Sequence, residues 1–302
     1  MRILAFAILG FLHANLYADY AEVILLGTGT PRPSIERFGS ATLINIGGEH
    51  ILFDVGRGAT IRLHQAGISP NRIDKVFITH LHSDHISGLG DLWMTGWIWQ
   101  RHENLVVYGP SGVDNMIENL QKSYAADISY RTSNVGLDEE RSKILSVEID
   151  EGVVYEKDGI KINAFLVDHK PVEPALGYRI QFGDKVIVLS GDTTYSENLI
   201  KHAQDADLLI HEIASADETL LKRNKRLQSV MAYHTNPMQM SDILNKTHPR
   251  STVLNHVLLF GITEQTVIEE IRQHYSGDLM MGYDLMKIGI GDSINIEQMV
   301  VK

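Results

Sequence analysis

The stretch Lys75–Gly90, KVFITHLHSDHISGLG, constrains this chain more than any other. Val76, Phe77 and Ile78 form an apolar run that reads as a buried strand. His80, His82, Asp84 and His85 follow within six positions, and Gly88 stands where a helix can begin. Alternate side chains of a strand point the same way, so His80 and His82 leave its C-terminal end together. Asp84 and His85 sit on the next turn and can reach a neighbouring point. Polar groups crowd the end of a buried strand only where something pairs with them. The layout is that of a site for two metal ions. Imidazole and carboxylate suit zinc, with manganese or iron as competitors.

The chain has no cysteine, so a metal must be held by His, Asp and Glu. Its net charge of −11 argues against broad nucleic-acid binding but leaves room for a local basic patch. At the N-terminus, Arg2 precedes an apolar run from Ile3 to Leu12, and Ala18 offers a small residue before Asp19. This reads as a secretory signal peptide over 1–18, followed by a hydrolase domain over 19–302 that is periplasmic or secreted. No later stretch is long and apolar enough to span a membrane.

Along the chain, strands read at 22–26, 41–46 and 50–53, and Asp54 ends the third. Gly27-Thr28-Gly29 lacks a third glycine and runs into Pro31 and Pro33, so it is a rigid loop rather than a nucleotide cradle. The segment 89–101 reads as a helix with Trp93 and Trp97 on one face, as core or as a wall of the substrate pocket. A helix is expected over 113–125, then an irregular polar stretch over 127–143. Later strands read at 143–149, 153–156, 160–167, 176–182, 185–189, 208–210 and 253–254. Helices are expected at 218–231, 237–245 and 264–274. Strands alternate with helices in both halves, so the fold class is α/β (α+β), with helices outside two sheets in one domain.

His80 and His82, His169, Asp192, Glu212 and His256 each stand just after an apolar strand. Strand ends on one edge of a sandwich gather in space. On that basis His80, His82 and His169 hold one ion, and Asp84, His85 and His256 the other. Asp192 bridges them, because a carboxylate has two oxygens to offer.

The motif THLHSDH at Thr79–His85 resembles the HxHxDH signature of the metallo-β-lactamase superfamily. LGTGTP at 26–31, LFDVGRG at 52–58, VYGPSG at 107–112, DHKPVEPALGYRI at 168–180, SGDT at 190–193, His211-Glu212, YHT at 233–235 and NHVLLFG at 255–261 resemble its ribonuclease Z and zinc arylsulfatase branch. The resemblance implies a four-layer αββα metallo-β-lactamase-like sandwich with two zinc ions on one edge. It places ligands at His80, His82, Asp84, His85, His169, Asp192 and His256. It further implies that Glu212 and His234 pair near the leaving group, with the carboxylate orienting the imidazole as a general acid. Asp54 is a candidate to hydrogen-bond a ligand imidazole from behind.

Ribonuclease Z proteins carry a Gly- and Pro-rich arm between the GYR and SGDT motifs; here Gly177-Tyr178-Arg179 reaches Ser190 through a simple hairpin. With the export signal and the acidic balance, this resembles the zinc arylsulfatase group. The expectation is an exported binuclear zinc hydrolase of a small-molecule sulfate ester. Hydroxide held between the ions attacks, and Asp84, Glu212 and His234 are the catalytic residues. A phosphodiesterase or ribonuclease Z-like nuclease on the same metals is the alternative. Lesser ones are a β-lactam or lactone hydrolase and a binding protein that kept the fold. A homodimer is common among such relatives.

Overall fold

In strand β1 (Ala21–Gly27), Val23 and Leu25 enter one apolar cluster while Ile24 and Leu26 enter another. A strand shows two faces, and one covered on both sides reads as a continuous apolar run rather than an alternation. The computed structural model describes residues 20–299; the expected signal peptide lies outside them.

The chain continues through β2 (Ala41–Ile46), β3 (Glu49–Phe53), β4 (Lys75–Phe77), β5 (Leu105–Gly109) and β6 (Ile144–Glu148). It crosses to a second sheet through β7 (Gly152–Lys157), β8 (Ile160–Leu166), β9 (Leu176–Phe182), β10 (Lys185–Leu189), β11 (Leu208–Ala216), β12 (Ser251–Phe260) and β13 (Leu279–Met281). It then returns to the first with β14 (Met286–Ile290) and β15 (Ile294–Gln298). Among the described residues the sheet orders are β15-β14-β1-β2-β3-β4-β5-β6 and β13-β12-β11-β10-β9-β8-β7. The runs β3 to β6 and β10 to β13 are parallel.

Three apolar clusters hold the layers together. The inner one joins Val23, Phe53 and Phe77 of the first sheet to Tyr178, Ile210 and Val253 of the second. The helices Ala59–Gln65, Leu89–Ile98 and Val113–Val135 cover the outer face of the first sheet. Glu197–His202, Pro237–Thr247 and Glu264–Arg272 cover the outer face of the second. The architecture is the expected αββα sandwich. None of the described helices is long and apolar enough to cross a membrane.

Three local expectations are corrected. The helix starting at Val113 does not stop at 125 but runs to Val135, where Gly136 takes a left-handed φ of 74°. Exposed pairs one turn apart, Lys122 with Glu118 and Arg131 with Asp127, line its polar surface. The helix expected over 218–231 is two, Glu218–Arg223 and Lys225–Met231, because the Asn224 side chain caps the second. The strands expected at 208–210 and 253–254 run on to Ala216 and Phe260, so Glu212 and His256 lie within strands rather than after them.

Candidate functional site

Parallel strands carry side chains to one end of a sheet, and a crevice opens outside their C-terminal ends. Here both sheets end on one edge and are stitched there by Thr79 O accepting from Leu176 N and Thr28 O accepting from Val257 N, each at 2.9 Å. His80, His82, Asp84 and His85 follow β4. His169 follows β8 and Asp192 follows β10. His256 reaches the same place by a different device. Asn255 pairs with Glu212 and Val257 with Ile213, so His256 is an unpaired extra residue, a β-bulge. Its φ of 42° is left-handed, rare for a histidine, and the bulge turns its ring into the site.

The seven side chains converge. His80 Nε2 and His82 Nδ1 are 3.0 Å apart, and His169 Nε2 is 3.4 Å from that same His82 nitrogen. His256 Nε2 is 3.1 Å from Asp84 Oδ2 and 3.3 Å from Asp192 Oδ2. Asp192 Oδ1 lies 3.4 Å from His85 Nε2, while its Oδ2 lies 3.8 and 3.9 Å from the Nε2 atoms of His80 and His169. Ligand-type atoms of His80, His82, His169 and Asp192 fall within 4.8 Å of one another, and so do those of Asp84, His85 and His256.

The outer ring atoms are held by the protein, which decides the tautomers. His169 Nδ1 donates to Tyr233 O at 3.0 Å, leaving Nε2 with its lone pair toward the site. His85 Nδ1 contacts Asp54 Oδ2 at 2.7 Å, and Asp54 also accepts from Thr79 N at 2.8 Å and Thr79 Oγ1 at 2.9 Å. Asp54 itself has a left-handed φ of 57°. Thr79 and Tyr233 stand in the motifs quoted from the sequence, but these roles carry no sequence signal, because a backbone carbonyl or a hydroxyl behind a candidate ligand leaves no signature of its own.

These residues fit metal ions. Burial foremost pushes His80 well below the ordinary imidazole range, and lowers His82 and His169. His80 Nε2, His82 Nδ1 and His169 Nε2 thus face one another on rings that resist protonation, a set of nitrogen donors that suits a divalent cation. Burial also opposes protonation of His85, but Asp192 and Asp54 outweigh it and raise that ring well above its usual range. A position that draws a proton so strongly draws a metal cation too. His85 Nε2 is buried and makes no hydrogen bond among the described residues.

Beside the cluster, His234 Nδ1 lies 3.0 Å from Glu212 Oε1, which also accepts from Thr235 N and Thr193 N. Burial works against a charged His234, yet the Glu212 carboxylate prevails and lifts its pKa to about 9. Cations in the adjacent cluster would draw that value down. His234 also falls within 4.8 Å of Asp192 and His256 by their ligand atoms. His211 points away from this group, its Nδ1 on Glu212 O at 2.7 Å. Trp93 and Trp97 are core rather than pocket wall: both are buried, with their indole N–H groups donating to Ser142 O and Asp138 O.

A cleft of about 530 Å³ opens over the site. His82, Asp84, Asp192, His234 and His256 lie at its floor, Leu227, Val230, Tyr233, Leu258 and Phe260 line its walls, and Arg32 and Arg226 stand at its rim.

A family model described as "Anti-Pycsar protein Apyc1" matches residues 21–248. A protein named ribonuclease Z from Mycobacterium sp. (strain KMS) is 34% identical over 239 residues, 78% of this chain and 84% of that one. The chain belongs to the metallo-β-lactamase superfamily, in its ribonuclease Z branch and the Apyc1 family. As such it is a metal-dependent hydrolase of ester bonds. Two solved structures share the metallo-β-lactamase fold. The fold protein YhfI from Bacillus subtilis superposes with a TM-score of 0.72 at 19% identity, covering 90% of this chain and 99% of that one. The short form of human tRNase Z gives 0.67 at 23%, covering 89% and 99%. In this metallo-β-lactamase-fold hydrolase, as the sequence implied, β9 passes to β10 through Gly183-Asp184 alone.

Proposed function

We propose that this protein is a binuclear zinc phosphodiesterase, cutting the P–O ester bond of a phosphodiester. One observation carries the choice of phosphate over sulfate: the buried Glu212–His234 pair beside the cluster. A phenolate leaves an aryl sulfate without help, whereas a sugar alkoxide leaves a phosphodiester poorly and needs a proton. The relatives named ribonuclease Z support the same side, so the arylsulfatase-like expectation gives way to its alternative. The missing arm bears on how a large RNA would be gripped, not on which bond is cut.

His80, His82 and His169 would hold one ion, Asp84, His85 and His256 the other, with Asp192 between. Two divalent ions there would acidify water near neutral pH and would offset charge on the non-bridging phosphate oxygens. The chain's own groups move the protons. Asp84 accepts one from the attacking water. As water oxygen bonds to phosphorus and the ester P–O bond breaks, His234 Nε2 delivers a proton to the leaving oxygen while Nδ1 stays on Glu212.

The test is initial-rate assay of metal-loaded protein on bis(4-nitrophenyl) phosphate, 4-nitrophenyl sulfate and a chromogenic β-lactam, with Asp192→Ala as background. The diester should be turned over at least about a thousand-fold faster than by the variant, as expected when a metal site is dismantled. Sulfate or β-lactam turnover above that of the diester would overturn the reading. Export to the periplasm or medium is proposed from residues 1–18 of the sequence, and N-terminal sequencing of the native protein tests it: Asp19 should be the first residue.

A further inference from the structure

Four cations stand in five positions at Lys222-Arg223-Asn224-Lys225-Arg226, in a chain whose net charge is −11. All five residues are exposed. The bland account of such a run is a solvated surface. Its position speaks otherwise, because it occupies the junction of the helices Glu218–Arg223 and Lys225–Met231, and that junction is one lip of the cleft. Asn224 spends its side chain on capping the second helix, its Oδ1 accepting from Leu227 N at 3.1 Å. The cap fixes where Leu227, Val230 and Arg226 fall, and all three line the cleft.

Among the described residues Lys222 is paired with Glu218 at 3.0 Å, while Arg226 forms no ion pair. Arg32 faces the same cleft from the loop after Thr30 and Pro31. It too has no carboxylate partner among the described residues; its Nη1 donates to the backbone oxygen of Leu259 at 3.4 Å. By contrast, Arg37, five residues on, is bound to Glu264, and Arg62 to Asp284. The carboxylates that do line the cleft, Asp84 and Asp192, belong to the metal cluster. The rim therefore offers two guanidinium groups to an arriving ligand, above a floor that would take one phosphate with its cations bound.

We infer that Arg32 and Arg226 grip a second phosphate next to the scissile one, so that the enzyme selects diesters carrying an additional phosphate group. Guanidinium presents paired donors that match phosphate oxygens. The walls between rim and floor, Tyr233 and Phe260 among them, give a nucleobase an aromatic surface to lie on. This inference rests on the phosphodiester reading and adds which diesters are preferred.

The experiment measures kcat and KM of zinc-loaded enzyme on the dinucleotide TpT, on its 5′-phosphorylated and 3′-phosphorylated forms, and on bis(4-nitrophenyl) phosphate. Wild type, Arg226→Ala, Arg32→Ala, the double variant and Lys225→Ala, which does not line the cleft, are compared at matched ionic strength. Circular dichroism melting shows that each variant is folded. One terminally phosphorylated form should exceed TpT in kcat/KM by about tenfold or more, chiefly through KM, as for a charge-assisted contact. The double variant should lose most of that ratio, and Lys225→Ala should retain it. Equal kcat/KM for all three dinucleotides in wild type overturns the inference, as does a preference that survives in the double variant. If wild type fails even on bis(4-nitrophenyl) phosphate, the phosphodiester reading itself has failed, and the inference falls with it.

Discussion

His234 is the residue on which the choice of substrate turns. If it protonates the leaving oxygen, its removal hurts in proportion to how poorly that oxygen leaves. His234→Ala should cost about 100-fold or more in kcat on a dinucleotide, within the range of a lost general acid. On bis(4-nitrophenyl) phosphate, whose nitrophenolate needs no proton, the loss should be several times smaller. Equal losses on both would mean that His234 positions substrate or binds metal instead. Asp54 makes a separate prediction. It holds His85 Nδ1 from behind at 2.7 Å and should not touch substrate. Asp54→Ala should weaken zinc affinity about 10–100-fold in a chelator competition, the usual effect of removing such a support. The gathering of these candidate residues was legible in the sequence because His80, His82, Asp84 and His85 share a short turn and His169 and Asp192 follow apolar runs. Arg32 and Arg226 were not, since an arginine at a cleft rim looks like any exposed arginine until the cleft exists.

Elements bring those residues together through backbone features with little sequence signal. The bulge at His256 is one: Val253-Leu254 and Val257–Phe260 read as apolar on either side, and nothing in them announces that one residue between is unpaired. The extent of the helix Val113–Val135 was missed for a related reason. Val113 and Ile117 are fully buried and Leu120, Tyr124 and Ile128 pack half-buried against the same core, but the last turns after Ile128 add no apolar contact to it, so hydrophobic periodicity has little to report there. The glycines after β3 answer to packing across the site. A Cβ on Gly56 would stand 2.3 Å from the Asp84 carbonyl oxygen and 2.3 Å from the Gly39 backbone. Gly56→Ala must therefore push the turn bearing Asp84 and His85. It should destabilise the protein by about 3 kcal/mol, at the upper end for overpacking, and lower zinc affinity with it. Unchanged melting and unchanged affinity would show that the turn yields without cost.

On the scale of the whole molecule, the candidate ligands come from both sheets: His80, His82, Asp84 and His85 from the first, His169, Asp192 and His256 from the second. Bound cations would therefore tie the sandwich along one edge, and metal affinity would become folding stability. Stripping the metal with a chelator should lower Tm by about 5–10 °C, from the linkage expected at 100-fold saturation in a domain of this size. The layering was readable from the alternation of apolar strands and helices. The pairing order was not, because which strand lies beside which is set by contacts far apart in the chain, such as β14 returning to β1. The claim beneath all of this is that one edge of the sandwich gathers a pair of cations. Elemental analysis of desalted, zinc-loaded protein tests it most directly. Two zinc ions per wild-type chain, falling to one or fewer in Asp192→Ala, is the predicted result; one ion or none in the wild type would contradict it.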